Sequence, residues 1–241
     1  VTIINLCFCY PIAFYMAKVA SPNTSRLLIV SLIIPFWINE LLRSFALRIL
    51  FAGEGVINNI LVGSGLILRS LSDFSIDDEV EETGSTFEEN AILKAKGYGM
   101  RCGLLTLADD SGLEVDILDG EPGIHSARYG GPGKSDMDRN DLLLRNLRSF
   151  EDCQLTARFR CVVAVWKPGK DGPDQIHSFE GSVEGFIARE PKGDQGFGYD
   201  PLFYFPSYGR TLGQVSRAEK EKVSHRGQAV RQAVEYLKKS L

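Results

Sequence analysis

The chain has 241 residues, 44% of them hydrophobic and 24% charged, with a formal net charge of −4. This profile fits a folded protein of one or two domains and excludes a disordered chain, a small disulfide-stapled scaffold and a strongly basic nucleic-acid binder. The averages conceal a break. Residues 1–68 hold 43 apolar residues and carry four Lys/Arg against two Asp/Glu, which leaves a net charge of −6 for the remainder.

Residues 1–17 contain no charge, and neither do residues 27–39. A membrane-spanning helix needs about 20 mostly apolar residues, and Pro11 and Pro35 are tolerated in such helices. No basic segment precedes the first run, so a signal peptide fits poorly. The alternative is a buried helical hairpin. The stretches YPIAFYMAKVA and LLIVSLIIPFWINELLRSFALRILFAGEGVINNIL resemble the permease subunit of a polyamine-type ABC importer. This resemblance implies an apolar helical segment over residues 1–67, with membrane association of residues 1–52. It covers only a fraction of a permease, so no transport is expected.

From Ser70 the text is that of an α/β domain spanning residues 68–241. Ser85-Thr-Phe-Glu88 reads as a capping box, followed by Phe87, Ala91, Ala95 and Tyr98 at helical spacing. Leu104–Ala108 reads as a short strand stopping at a polar turn, Asp109-Asp110-Ser111-Gly112. Leu113–Leu118 reads as a second strand. Pro122–Lys134 is a Gly/Pro-rich loop, and Asp138 to Phe150 an amphipathic helix with Leu142, Leu143 and Leu147 inward. Thr156–Trp166 alternates, with Ala157, Phe159, Cys161, Val163 and Val165 on one face and Arg158 and Arg160 on the other. A strand over 176–187 follows, then a glycine-bearing loop to Gly198. Ser216-Arg-Ala-Glu219 is another capping box. The last helix, 224–239, has Ala229, Val230, Ala233, Val234 and Leu237 as its apolar stripe.

The three His and five Cys show no metal-ligand spacing. Gly133-Lys134-Ser135 is not a P-loop, because Arg128 stands where the first glycine of that pattern belongs. Glu82 and the Asp109-Asp110 pair offer oxygen ligands for a hard cation such as Mg²⁺, with a solvated acidic turn as the plain alternative. Gly196-Phe-Gly-Tyr-Asp200 puts two aromatics and a carboxylate in a flexible loop. Ser224-His225-Arg226 opens a helix, where anions are favoured, with Lys220 and Lys222 just before it. Aromatic, basic and acidic groups of this kind can compose a nucleotide pocket; the plain alternatives are a core aromatic loop and a basic surface at a helix start.

Four stretches, EETGSTFEENAILKA (81–95), LADDSGLEVDILDGEPGIHSARYGG (107–131), REPKGDQGFGYDPLFYFP (189–206) and EKEKVSHRGQA (219–229), together resemble the non-canonical purine nucleoside triphosphate pyrophosphatases, the inosine triphosphatase-like enzymes. The resemblance implies an elongated α/β domain with a central mixed sheet and a cleft between two lobes, a homodimer and a cytoplasmic location. It implies hydrolysis of ITP, dITP or XTP to the monophosphate and pyrophosphate with Mg²⁺, and no nucleic-acid polymer as partner. By this resemblance Asp110 is the catalytic carboxylate and a metal ligand, with Glu82 the second metal carboxylate. Lys94, Ser111 and Lys220 map to the phosphate side of the substrate. Phe197, Gly198, Tyr199, Asp200, His225 and Arg226 map to the base. Arg226 offers only donors, which suit a 6-oxo purine. Opposite the 6-amino group of adenine, buried donors would face donors at a cost of about 1–3 kcal/mol each.

The family pattern begins with a strand, a Thr/Ser-x-Asn-x-x-Lys loop and a helix. Residues 1–68 contain no such loop. The expectation is therefore a domain without its first strand, first helix and part of its phosphate site, with impaired folding and reduced turnover.

Overall fold

The first α-helix of the described residues, α1 (Phe87–Cys102), is 16 residues long. The computed structural model describes residues 67–76, 78–150, 153–169 and 172–240. The apolar segment and its permease-like and membrane-associated readings fall, apart from Ile67 and Leu68, outside the described residues. Among the described residues no helix is long and apolar enough to cross a membrane.

Thr86, not Ser85, caps α1: its hydroxyl accepts the Glu89 N–H at 3.1 Å, while the Glu89 carboxylate reaches back to the Ser85 N–H at 2.6 Å. The capping logic holds but is shifted by one residue. Gly103, at φ 68°, ends the helix in the left-handed conformation that glycine adopts without a Cβ penalty. Phe87, Ala91, Ala95 and Gly99 form the buried face at i, i+4, i+8 and i+12. Small residues there let the helix approach the sheet closely, and a Cβ on Gly99 would run into the Trp166 ring.

Five strands follow: β1 (Thr106–Val115), β2 (Thr156–Lys167), β3 (Gln175–Ile187), β4 (Phe203–Phe205) and β5 (Arg210–Thr211). They lie in the order β1-β2-β3-β4-β5, and every pairing is antiparallel. This corrects the expected mixed sheet for the described residues. The β1–β2 connection leaves beside Val115 and re-enters beside its register partner Ala157, at the same end of the sheet. Such a path pairs strands antiparallel; a parallel pair needs a crossover to the opposite end.

A second correction concerns β1. The polar tetrad 109–112 is not a turn between two strands but the middle of one continuous ten-residue strand. Asp109, Asp110, Ser111 and Gly112 pair with Val163, Val162, Cys161 and Arg160 of β2.

Helix α2 (Asp136–Asn146) is capped by Ser135 in a reciprocal box with Asp138, and Leu143 and Leu147 point into the core. Helix α3 (Arg217–Val223) starts at the Ser216–Glu219 box, as the spacing predicts. Helix α4 (His225–Ser240) buries Ala229, Val230, Ala233, Val234 and Leu237, its expected stripe. Gly181 of β3 lets α4 come close, since a Cβ there would strike the His225 carbonyl.

Helix α1 packs on β1 and β2 through Val162, Ala164 and Trp166, while α4 packs on β2 and β3. The covering from two helices explains why β2 is buried continuously from Cys161 to Trp166 and does not alternate there. Where the helices stop covering it, Arg158 and Arg160 pair across strands with Asp116, Glu184, Glu114 and Glu180, on the polar face that alternation predicts. The larger core joins Leu113, Val115, Phe159, Val183, Leu202 and Phe203 with Leu143 and Leu147. Each fully buried apolar side chain of this size stabilises the fold by about 1.5–3 kcal/mol.

Candidate active site

Period-two alternation sends Asp109 and Asp110 to opposite faces of β1. Asp110 faces α1. Its carboxylate accepts the Asn90 amide at 3.2 Å and the Lys94 ammonium at 3.1 Å. Asn90 and Lys94 are one turn apart on the same side of α1. Lys94 also donates to Glu82 at 2.8 Å, and Glu82 accepts Arg128 at 2.8 Å through its other oxygen. Asn90 is fully buried and turns its carbonyl to the Gly84 N–H at 2.8 Å. It thereby links the segment carrying Glu82 to the strand carrying Asp110. Asn90 and Arg128 were missed in the sequence. The i, i+4 spacing of Asn90 and Lys94 could have flagged the first; nothing local flags Arg128, which lies 46 residues from Glu82.

Burial raises the Asp110 carboxyl above its ordinary range, against the pull of Lys94 and Asn90. Burial would raise Glu82 too, but Lys94 and Arg128 outweigh it and hold that carboxyl low. The Lys94 ammonium is desolvated, yet its two carboxylates raise its proton affinity.

Glu82 and Asp110 thus converge on one position, held by the Lys94 nitrogen. Paired carboxylate oxygens suit a hard divalent cation, whose remaining ligands are commonly waters and phosphate oxygens. Among the described residues no group of three or more His, Cys, Asp or Glu could cage an ion by protein ligands alone. The residues present fit an ion held by Glu82 and Asp110 whose other ligands come from outside the protein.

On the opposite face of β1, Asp109 accepts Arg226 Nε at 3.0 Å and Ser111 Oγ accepts Arg226 Nη2 at 3.1 Å. Asp109 is the main reason that Arg226 stays firmly protonated. The Cys161 thiol lies beside the same carboxylate, and burial followed by Asp109 pushes its proton affinity up. His225 stacks on Phe159, centroids 5.0 Å apart. Burial, Arg226 and Lys220 lower its pKa to about 3, so the imidazole is neutral.

Residues 196–200 form a tight loop. Gly196, at φ 80°, packs against the Asp200 carboxylate, leaving no room for a Cβ. Asp200 is 1% exposed and accepts the Phe197 N–H at 2.8 Å and the Lys220 ammonium. Burial raises its carboxyl despite that cation. Lys220 lies 4.4 Å from the centroid of the Phe197 ring, which is 65% exposed. Tyr199 is buried and donates to the Ser126 carbonyl at 2.9 Å.

The residues singled out in the sequence therefore fall into three sets, with His225 stacked on Phe159 beside the third. Glu82, Lys94 and Asp110 form one. Phe197, Gly198, Tyr199, Asp200 and Lys220 share a loop and its ion pair; Arg226 and Ser111 meet at β1. Lys220 and Ser111, expected with the phosphates, contact Asp200 and Arg226 respectively.

The Ham1 family matches residues 54–236. The match takes in residues 54–66, which composition places with the apolar piece. A dITP/XTP pyrophosphatase of Bacillus subtilis is 44% identical over 172 residues, 71% of this chain and 85% of that protein. One from Desulforamulus reducens is 48% identical over 173 residues, 72% and 84% of the two chains. Among solved structures, a HAM1 protein from Coxiella burnetii superposes with a TM-score of 0.70 at 42% identity, covering 76% of this chain and 91% of its own. The Staphylococcus aureus Ham1 protein gives a TM-score of 0.69 at 41% identity, covering 77% and 94%.

Proposed function

The chain belongs to the Ham1 family, and we propose that it hydrolyses dITP, XTP and ITP to the monophosphate and pyrophosphate, clearing non-canonical purines from the cytoplasmic nucleotide pool. The observation that carries this reading is the meeting of Glu82 and Asp110 on one cation position at Lys94. A phosphoanhydride substrate brings concentrated negative charge, and hydrolysis needs an activated water. Two carboxylates and an ammonium at one point serve both needs.

Glu82 and Asp110 would hold Mg²⁺, which when bound supplies Lewis-acid polarisation of water and phosphate oxygens. Asp110 accepts the proton of the attacking water as the α–β phosphoanhydride is cleaved. Its buried setting makes it a better base than an exposed aspartate. At rest Lys94 pairs with it. When triphosphate oxygens engage Lys94, that cation is shared and Asp110 becomes more basic. Lys94 then offsets the charge growing on the departing pyrophosphate.

The Phe197 face, Asp200, Lys220 and His225 receive the base. Neutral His225 and donor-rich Arg226 and Lys220 suit a 6-oxo purine, and Asp200 supplies an acceptor. Arg226 is itself oriented by Asp109 and Ser111, which ties the base group to the strand that carries Asp110. A homodimer is part of this proposal, and sedimentation of the full chain tests it. No observation favours a permease fragment with an inactive passenger domain.

The deciding experiment is chromatographic detection of IMP and pyrophosphate from ITP with Mg²⁺, using the full chain. Stoichiometric products, with ATP a poor substrate, are expected; release of inorganic phosphate instead would refute the reaction.

A further inference from the structure

The loop 196–200 is held from an element that the reading above leaves unused. Asp136 and Asn140 lie one turn apart on α2, and both contact Gly198. The Gly198 N–H donates to Asp136 Oδ2 at 2.7 Å, and Asn140 Nδ2 donates to the Gly198 carbonyl at 3.0 Å. The first bond fixes the peptide between Phe197 and Gly198; the second fixes the peptide between Gly198 and Tyr199. Gly198, at φ 61°, is the point where this chain turns, and a Cβ added there would meet no atom within 4 Å. Glycine has the widest backbone freedom of any residue, so its conformation here is set by those two bonds together with the turn in which the Asp200 N–H donates to the Phe197 carbonyl at 3.3 Å.

Asn140 is 6% exposed, and its Oδ1 finds no hydrogen-bond partner among the described residues. A buried acceptor without a partner is unfavourable. Its amide is oriented toward Gly198 even though this leaves the other end unsatisfied. Asp136 is anchored in turn by Arg139, itself buried, which also donates to the Lys134 carbonyl at 2.6 Å. The clamp therefore belongs to a fixed helix start and not to a mobile side chain.

We infer that Asp136 and Asn140 are positioning residues for nucleobase binding, holding the two peptides around Gly198 so that the Phe197 ring is set for stacking before the nucleotide arrives. This rests on the reading that residues 197–200 face the base. Tyr199 is locked by Ser126 and Asp200 by Lys220. Phe197 has an exposed ring, and its backbone is tied by Asp200 on one side and by the α2 clamp on the other. A loop ordered beforehand loses less freedom on binding, which appears as affinity.

The test is calorimetric titration of the full chain with IMP, which reads binding without turnover. Asp136→Ala is expected to raise Kd about tenfold, equivalent to about 1.4 kcal/mol. Asp136→Asn, which keeps an acceptor oxygen, should stay within about twofold of the parent. Asn140→Asp, which replaces the donor with a carboxylate facing the Gly198 carbonyl, should weaken binding at least as much as Asp136→Ala. Both Asp136 variants remove the carboxylate that pairs with the buried Arg139 and so lose stability alike; a difference in Kd between Asp136→Ala and Asp136→Asn is therefore not a folding effect. Phe197→Ala separates the two layers of the argument. If it weakens IMP binding while Asp136→Ala does not, the clamp is overturned and the base-side reading stands. If Phe197→Ala has no effect, or the parent does not bind IMP, the base-side reading fails and the inference fails with it. Asp136→Asn binding as poorly as Asp136→Ala would show that charge matters and not the hydrogen bond, which also overturns the clamp.

Discussion

Replacing Lys94 with Met keeps the length of the side chain and removes its charge. The ammonium lies 2.8 Å from Glu82 and 3.1 Å from Asp110, and these side chains are 16%, 26% and 11% exposed in the order Lys94, Glu82, Asp110. Removing one partner of a fully buried pair costs about 3–5 kcal/mol. Residual solvent here screens the remaining carboxylates, and Arg128 still serves Glu82, so about 2–3 kcal/mol is the expected loss. For a chain of this size that lowers Tm by about 5–10 °C. The assay is differential scanning calorimetry of Lys94→Met and the parent, in EDTA and again with Mg²⁺. The variant leaves Asp110 without a cation and Glu82 with Arg128 alone, so Mg²⁺ should stabilise it more than it stabilises the parent; at 100 times its Kd the ion adds about 2.7 kcal/mol to the metal-free variant. Turnover of ITP should stay low even when stability returns, because the cation facing the leaving group is gone. An unchanged Tm in EDTA, or a Mg²⁺ response no larger than that of the parent, would refute the claim that the carboxylates share one cation position.

Asp110→Asn should lower kcat on ITP by about 10²–10⁴-fold, the usual contribution of a general base, with KM changing far less; steady-state kinetics checks this. Gly99→Ala should destabilise the protein by about 1–3 kcal/mol in chemical denaturation, because the new methyl overlaps the Trp166 ring, although alanine in an open helix position would stabilise it. His225 titrates near 3 in the folded chain and near 6.5 unfolded, so the unfolded state takes up the proton first as pH falls. Its contribution to stability is complete above about pH 6.5 and is lost as pH drops toward 3. Allowing for the partly exposed ring, the parent should lose about 2 kcal/mol between pH 6.5 and 4 relative to His225→Phe, which keeps the stack on Phe159 but cannot titrate; parallel melts across that range read the difference.

The stripe of α4, the Ser216 box and the limits of β2 were legible because they depend on spacing within one element. A helix buries what recurs every three to four residues, wherever it ends up. The motifs around Glu82, Asp110, Phe197–Asp200 and His225-Arg226 were legible for a different reason: as strings they resemble a family. What the string of β1 concealed is that its polar centre is strand. Four polar or flexible residues in a row read as a turn when each is judged by its own preference. Here ten pairings to β2 override that preference.

Sequence alone determined the residue types available to the chemistry and the helical faces that carry them. Only the tertiary structure decided their partners. Asp109 and Asp110 are adjacent in sequence, yet the twofold alternation of the strand sends one to Arg226 on α4 and the other to Asn90 and Lys94 on α1. Which helix covers which face is settled by packing over long sequence separations. For that reason Arg128, Asn90 and the Asp136–Asn140 clamp on Gly198 came to light only when α1, α2 and the sheet were assembled around them.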